Sequence, residues 1–220
     1  MKKFASILFS GSLVLSSLVL HGCASRPSSE NNEPIPLLHQ EQTKTILVVP
    51  PINASTSSEA SNYYLTTIAR PLSNHGYYVI PIEVTSQMLQ EAGIIDGSQI
   101  KEIPQQKYRD LFGADAVLFV KITEWDTSYF LVAANVRVSL EFELISTKSN
   151  EILWNYKDSV IVDTSGGNGD LLSMVISTAI NTANTDYVPI AMQVNNSALR
   201  SMPLGPYRMQ ELTEESVVNK

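Results

Sequence analysis

Residues 112–125 read Phe-Gly-Ala-Asp-Ala-Val-Leu-Phe-Val-Lys-Ile-Thr-Glu-Trp, and this stretch decides the fold of the chain. Five consecutive apolar residues, Ala116 to Val120, follow a turn at Gly113. Because a short apolar run of this kind has no polar side, it is typical of a strand buried on both faces. We therefore expect it to be the middle strand of a sheet, with helices above and below.

Two strands are predicted before this one, at residues 45–49 and 77–80. Thr56 and Glu59 match a capping box for the helix between them, and Gly76 fits its closing position. The apolar face of that helix would be Tyr64, Leu65, Ile68, Ala69 and Leu72. A second helical stretch, with Tyr108, Leu111 and Phe112 on one side, leads into the middle strand. Both connections read as right-handed parallel crossovers.

After the middle strand the pattern changes to a hairpin. Apolar residues from Val136 to Leu144 alternate with polar ones, and the chain returns through Ile152, Trp154 and Tyr156, with Asp158 placed as a bulge would be. The predicted fold class is a three-layer α/β domain. It has a five-stranded mixed sheet of order 2-1-3-4-5, with helices on both faces and strands one to three parallel.

The ends of the chain have a different composition from its middle. Residues 24–44 are rich in Ser, Pro, Asn, Gln and Glu, which favours an unfolded tether, and residues from 201 onward are rich in Pro, Gly and charge. We therefore predict a leader at 1–22, a flexible tether at 23–44, one α/β domain at 45–200 and an extended or disordered tail at 201–220.

The first residues indicate export. Lys2 and Lys3 precede an apolar run from Phe4 to Leu20, and the run ends at Leu20-His21-Gly22-Cys23. This ending resembles the bacterial lipobox, in which the cysteine becomes the acylated first residue of the mature protein. His21 departs from the usual small or apolar residue, and an ordinary signal peptide or an uncleaved anchor stays open. Ala24 after the cysteine resembles lipoproteins exported to the outer membrane.

Charge limits the class of partner. Removal of Lys2 and Lys3 with the leader takes the formal net charge from −7 to −9, which argues against nucleic acid and against a polybasic membrane surface. We expect contacts with other proteins instead.

Catalytic and cofactor motifs are weak. Glu141 and Glu143 share one face of a strand, as an acid–base pair would, but solvated alternation explains them equally well. Residues 166–169 (Gly-Gly-Asn-Gly) lack the Lys-Ser/Thr of a phosphate loop. His39 lies in the tether and His75 at a helix end, and neither has a partner at metal-ligand spacing. We expect no catalytic residues, no cofactor and no metal.

Four tyrosines, Tyr63, Tyr64, Tyr77 and Tyr78, cluster around the first crossover. Tyrosine is favoured both in cores and in interfaces, so both interpretations stay open. The second strand of the hairpin is an expected sheet edge that could also pair with another subunit. Together these features favour a homodimer.

Three stretches carry a family resemblance: residues 70–81, residues 113–118 and the strand at 152–154, with the lipobox before them and Leu204-Gly205-Pro206 after them. They resemble the family of bacterial lipoproteins that includes a Neisseria surface antigen. The resemblance implies a fold similar to the amino-terminal domain of TolB and, more distantly, to CsgG and LpoB. It also implies an envelope lipoprotein that works by binding other proteins, and it gives no residue of this chain a catalytic role.

On this resemblance we expect a lipid-anchored protein on the periplasmic face of the outer membrane, with surface exposure left open. The expected role is a non-enzymatic adaptor in secretion or assembly with a CsgG-like partner. Two alternatives remain, an LpoB-like activator of peptidoglycan synthases and a hydrolase without a recognisable motif.

Overall fold

The computed structural model describes residues 35–130, 133–163 and 187–218, which form one mixed sheet with helices on both faces. The strands are β1 (Thr45–Val48), β2 (Ile52–Asn53), β3 (Tyr78–Val79), β4 (Ala116–Phe130), β5 (Ala133–Ser146) and β6 (Ile152–Asp163). The main path through the sheet is β3-β1-β4-β5-β6, with β1 parallel to β3 and β4, and the last three strands antiparallel. The predicted strand order is therefore confirmed.

The described helices form the two outer layers. They are α1 (Leu37–Gln40), α2 (Ala60–Asn74), α3 (Ile82–Glu91), α4 (Gly97–Ile100), α5 (Gln106–Phe112), α6 (Val188–Leu199) and α7 (Pro206–Val218). On one face, α2 and α6 pack on the sheet through residues such as Ile68 and Val194. On the other face, α3, α4 and α5 contribute Leu89, Ile100 and Tyr108 to a second core. This confirms the three-layer prediction.

The middle strand is buried as its sequence predicts. Every residue from Ala116 to Val120 is at most 4% exposed. Successive side chains of a strand point to opposite faces, so Leu118 enters the first core and Val117 the second.

The sheet has one more strand than the five we predicted. Pro50 and Pro51 have no backbone N–H and end β1, since a proline cannot donate to the ladder. The chain then returns to the sheet, and Ile52 and Asn53 pair in parallel with Lys121 and Ile122 of β4.

The predicted bulge at Asp158 was wrong. Asp158 pairs regularly with Leu140, and the register of β5 and β6 shifts instead between Leu144 and Ile145, where Leu153 is the extra residue. A second shift lies between Ile122 and Glu124 of β4.

The two helices predicted before the middle strand also differ in detail. The α2 helix begins at Ala60 and its N-cap, Glu59, makes no side-chain capping bond, so the capping box at Thr56 was wrong. Pro71 lies inside the helix, which continues to Asn74. On α5, Tyr108 is buried as expected but Leu111 is exposed.

Both ends of the domain extend beyond the predicted boundaries of 45 and 200. The α1 helix lies within the predicted tether, and Leu38 is buried in the first core. The predicted tail instead contains α7, and Met202 just before it is buried. The expectations of an unfolded segment up to residue 44 and of an extended tail were therefore wrong for these residues.

Candidate functional site

The sheet carries a charged cleft on the face that α3, α4 and α5 partly cover. Outward-facing residues of β5 alternate with its core residues, and Glu141 and Glu143 project into this cleft together with residues of β4 and β6. Its volume is about 280 Å³. The lining residues are Ile52, Lys101, Phe119, Val120, Lys121, Glu141, Phe142, Glu143, Ile152, Asn155, Tyr156 and Lys157.

Two ion pairs cross the cleft. The Lys157 ammonium donates to Glu141 at 2.9 Å, and the Lys101 ammonium, just after α4, donates to Glu143 at 3.4 Å. Lys121 lies on β4 opposite Glu141 and makes no ion pair within 4.0 Å to a described carboxylate. The rim therefore carries three ammonium groups against two carboxylates.

The electrostatics of Glu141 argue against acid catalysis. The hydrogen bond from Lys157 lowers its pKa, and the charges of Lys157, Lys121 and Lys101 add to the effect. A general acid needs a raised pKa, which burial or a second carboxylate would supply. Glu141 is instead held as an anion, which suits recognition of a charged partner.

A second polar cluster continues along the same face. Glu124 accepts from the Ser139 hydroxyl at 2.5 Å and from the Arg137 guanidinium at 3.2 Å. The Ser139 hydrogen bond, followed by the hydrogen bond and charge of Arg137, lowers the pKa of Glu124. Ser139 also lies 2.7 Å from the Ser159 hydroxyl, so the cluster joins all three long strands.

The four tyrosines do not form one surface. Tyr64 and Tyr77 are buried in the first core, whereas Tyr63 and Tyr78 are about half exposed. Burial raises the pKa of both buried phenols, and the Tyr77 hydroxyl donates to the Pro203 carbonyl at 2.7 Å. The predicted interface is thus wrong for Tyr64 and Tyr77, because neither is available to a partner.

Sequence reasoning missed the contacts of the two histidines. The His75 side chain lies 2.8 Å from the Met202 carbonyl oxygen through Nε2, and His39 Nε2 lies 2.9 Å from the Leu204 carbonyl oxygen. Since a carbonyl only accepts, both rings donate from Nε2. Together with Tyr77 they hold residues 202–204, and the histidines are structural.

Two features of the sequence analysis lie outside the described residues. These are Cys23, the predicted acylation site, and the glycine-rich stretch at 166–169, which was not predicted to be a site. Among residues 35–130, 133–163 and 187–218, no three or more His, Cys, Asp or Glu side chains are grouped to hold a metal ion. In the same part of the chain, no helix has the length and apolar character needed to cross a membrane.

The fold and the cleft define a mixed α/β domain with an open, charged sheet face. The chain belongs to the family described as "Putative lipoprotein GNA1162-like", whose model matches residues 37–208. It is 30% identical over 168 residues to a lipoprotein of Neisseria meningitidis serogroup B, covering 76% of this chain and 78% of that protein. The predicted family is therefore confirmed.

Solved structures similar to the chain include the following two. The crystal structure of lipoprotein GNA1162 from Neisseria meningitidis is 33% identical, with 63% of this chain and 96% of that one covered and a TM-score of 0.54. PelC from Paraburkholderia phytofirmans, crystallised as a dodecamer, is 16% identical with 72% and 87% covered and a TM-score of 0.44.

Proposed function

We propose that this protein is a lipid-anchored, non-enzymatic adaptor that works on the periplasmic face of the outer membrane. The charged cleft carries the proposal, because its open rim is built for contact with a macromolecule. Membership of a lipoprotein family supports the anchor, for which Cys23 is the acylated residue.

The cleft favours a protein partner that presents carboxylates. Its rim has one more cation than anion, and Lys121 has no partner within 4.0 Å among the described carboxylates. Its floor is apolar, with Phe119 buried and Ile152 half exposed. An apolar centre surrounded by charged groups is the usual arrangement of a protein interface, in which the charges set orientation and partner choice.

The β6 strand gives a second means of contact. It is the last strand on the described path of the sheet, and Lys157 on it is 76% exposed. An extended segment of a partner could add to this edge while its acidic side chains meet the cleft. A CsgG-like protein as that partner remains a prediction from the family resemblance.

The anchor would keep the domain close to the membrane. Eleven residues separate Cys23 from Ile35, where the described domain begins, and this stretch spans at most about 40 Å. Two or more acyl chains would make attachment stable, whereas one chain would not.

Site-specific crosslinking tests the proposal. A photo-crosslinking amino acid at Asn155, inside the cleft, should give a discrete adduct with one envelope protein in intact cells. Lys121→Glu should reduce that adduct at least fivefold, because it reverses the unpaired charge. Lys107→Glu, an exposed change of equal charge on α5 outside the cleft, is the control. Equal labelling from Gln90 on α3, or equal loss in both variants, would contradict the proposal.

A further inference from the structure

A basic pocket lies at the end of the domain where β1 begins. It has a volume of about 300 Å³ and is lined by Glu41, Gln42, Lys44, Arg109, Asp115 and Lys148. The three cations come from separate parts of the chain: the residue before β1, the α5 helix and the turn between β5 and β6. Tertiary structure therefore brings them together.

Both carboxylates of the pocket are held by structural hydrogen bonds. Asp115 accepts the backbone N–H groups of Lys44 and Thr45, each at 3.0 Å. Glu41 accepts the Ser146 hydroxyl. Neither makes an ion pair within 4.0 Å to a described cation, and Lys44, Arg109 and Lys148 are exposed. The pocket therefore carries three cations against two carboxylates.

The α7 helix has the complementary charge. Glu211, Glu214 and Glu215 lie on one side of it, since residues three and four apart are neighbours on a helix. Every residue from Met209 to Val217 is exposed. The apolar residues Met209, Leu212 and Val217 are among them.

An exposed helix of this length needs a partner. It has 13 residues, and isolated helices shorter than about 12 to 15 residues are marginal in water. Its own side-chain pairs, Arg208 with Glu211 and Gln210 with Glu214, add only about 0.2 to 0.5 kcal/mol each. Packing against another surface would supply the missing stabilisation.

We propose that α7 of one copy binds the basic pocket of a second copy. The start of α7 and the basic pocket lie at the same end of the domain, because Lys44 lines the pocket and also a groove that Pro206 and Met209 line. The acidic side of α7 is on the opposite side of the helix from Met209, and Glu211 lines a separate cleft with Ser73 and Asn74, so this side is available to a second copy. A two-fold axis at that end therefore brings each helix to the pocket of the other copy. Two equal contacts then form and the assembly closes as a dimer.

The contact forms to a large extent only when both copies are anchored in the same membrane. Exposed ion pairs are each worth about 0 to 1 kcal/mol, so a few of them give a weak dimer in solution. Confinement of anchored chains to one surface raises their effective concentration. This step depends on the lipid anchor of the proposed function, whereas the charge match itself does not.

Disulfide trapping in the envelope tests the contact. Cys23 is the only native cysteine, so an introduced cysteine is the only other thiol in each chain. Two full-length copies with different tags would carry Ser149→Cys beside the pocket and Gln210→Cys on α7. A crosslink between the tags is expected. The control pairs Ser149→Cys with Gln90→Cys, which lies on α3. This pair should give at least fivefold less crosslinked product.

Charge reversal identifies the partner surfaces. Lys44→Glu with Lys148→Glu in both copies should reduce the crosslink at least fivefold, and Glu211→Lys with Glu214→Lys should do the same. In the combined pair, the Ser149→Cys copy carries the charge-reversed pocket and the Gln210→Cys copy carries the charge-reversed helix. The charges are then complementary again, and the crosslink should be restored. Arg70→Glu with Arg200→Glu, exposed residues outside the pocket, is the charge-matched control.

Three results would overturn the proposal: no crosslink in the unreversed pair, a crosslink insensitive to either reversal, or no recovery in the combined pair. If a reversed chain fails to accumulate, Lys44→Gln with Lys148→Gln gives the same comparison with a smaller change. Membrane fractionation of the same cells reports on the anchor separately. Loss of the crosslink with the chain still in the membrane therefore counts against the dimer alone.

Discussion

Gly76 and Gly205 meet backbone to backbone. A Cβ atom on Gly205 would lie 2.1 Å from the Gly76 carbonyl oxygen, and a Cβ on Gly76 would lie 2.5 Å from the Arg208 Cβ. Gly205 N–H also donates to the His75 carbonyl at 2.9 Å, and Tyr207 N–H donates to the Gly76 carbonyl at 3.2 Å. This contact joins the start of α7 to the turn before β3.

Gly205→Ala should therefore destabilise the protein by about 2 to 3 kcal/mol, because a rigid backbone cannot move aside for the new methyl group. Urea denaturation of the purified chain measures the change. Gly93→Ala is the matched control: Gly93 has φ +81 but nothing within 4 Å of its Cβ position. It should cost only about 1 to 2 kcal/mol, from the left-handed backbone alone. A Gly205→Ala variant as stable as the parent protein would show that this contact is loose.

A buried hydrogen bond joins the two helices of the first face. The Asn195 side-chain amide donates to the Thr67 hydroxyl at 2.9 Å, and both residues are at most 1% exposed. Thr67→Val should cost about 1 to 3 kcal/mol, because it leaves a buried donor without an acceptor. Thr66→Val, one residue away, removes an exposed hydroxyl that bonds to the Tyr63 carbonyl. This control should change the free energy of unfolding, measured by urea denaturation, by no more than about 0.5 kcal/mol. Equal effects of the two variants would place the cost in the helix backbone instead.

The Glu124 cluster should respond to acid. The pKa of the Glu124 carboxyl is lowered in the folded chain, and the hydrogen bond from the Ser139 hydroxyl is the largest cause. The stabilisation is therefore present above the ordinary glutamate pKa and is lost as the pH falls through the lowered one. Ser139→Ala should raise the pKa of Glu124 toward its ordinary value of 4.5. A side-chain carboxyl NMR titration measures this, with Glu141, whose pKa is lowered mainly by Lys157, as the unaffected internal reference.

The centre of the fold was predictable from sequence because its signals are local. An apolar run such as 116–120 leaves no polar side for water, and two crossovers followed by a hairpin allow few strand orders. Two-residue β2 has no such signal, since Ile52 and Asn53 join the sheet only because β4 extends past β1.

The burial of the four tyrosines was predictable in part. Tyr64 shares the apolar stripe of Ile68 and Leu72, whereas Tyr63 is rotated about 100° from it around the helix. That periodicity already assigns Tyr64 to the core. Consecutive Tyr77 and Tyr78 likewise differ, since only Tyr77 is buried.

The cleft was not predictable beyond Glu141 and Glu143. Its three cations come from a loop about 40 residues earlier, from β4 and from β6. Only the registers of β5 with its two neighbours place Lys121 and Lys157 opposite Glu141. A strand pattern shows which face a glutamate takes, but not which charges meet it there. The histidine contacts to residues 202–204 could not be predicted for the same reason, since both acceptors are backbone carbonyls more than 120 residues away.

Leu38 tests where the domain begins. It lies in a four-residue helix within a polar segment, yet it is only 1% exposed and belongs to the first core. Leu38→Ala should cost about 2 to 5 kcal/mol, because it removes buried methyl groups and leaves a cavity. Ile35→Ala is the matched control, since Ile35 is 65% exposed and should change the free energy of unfolding by less than about 0.5 kcal/mol. If the two variants unfold at the same urea concentration, residues before 45 act as a tether after all, and the domain would then stand farther from its lipid anchor.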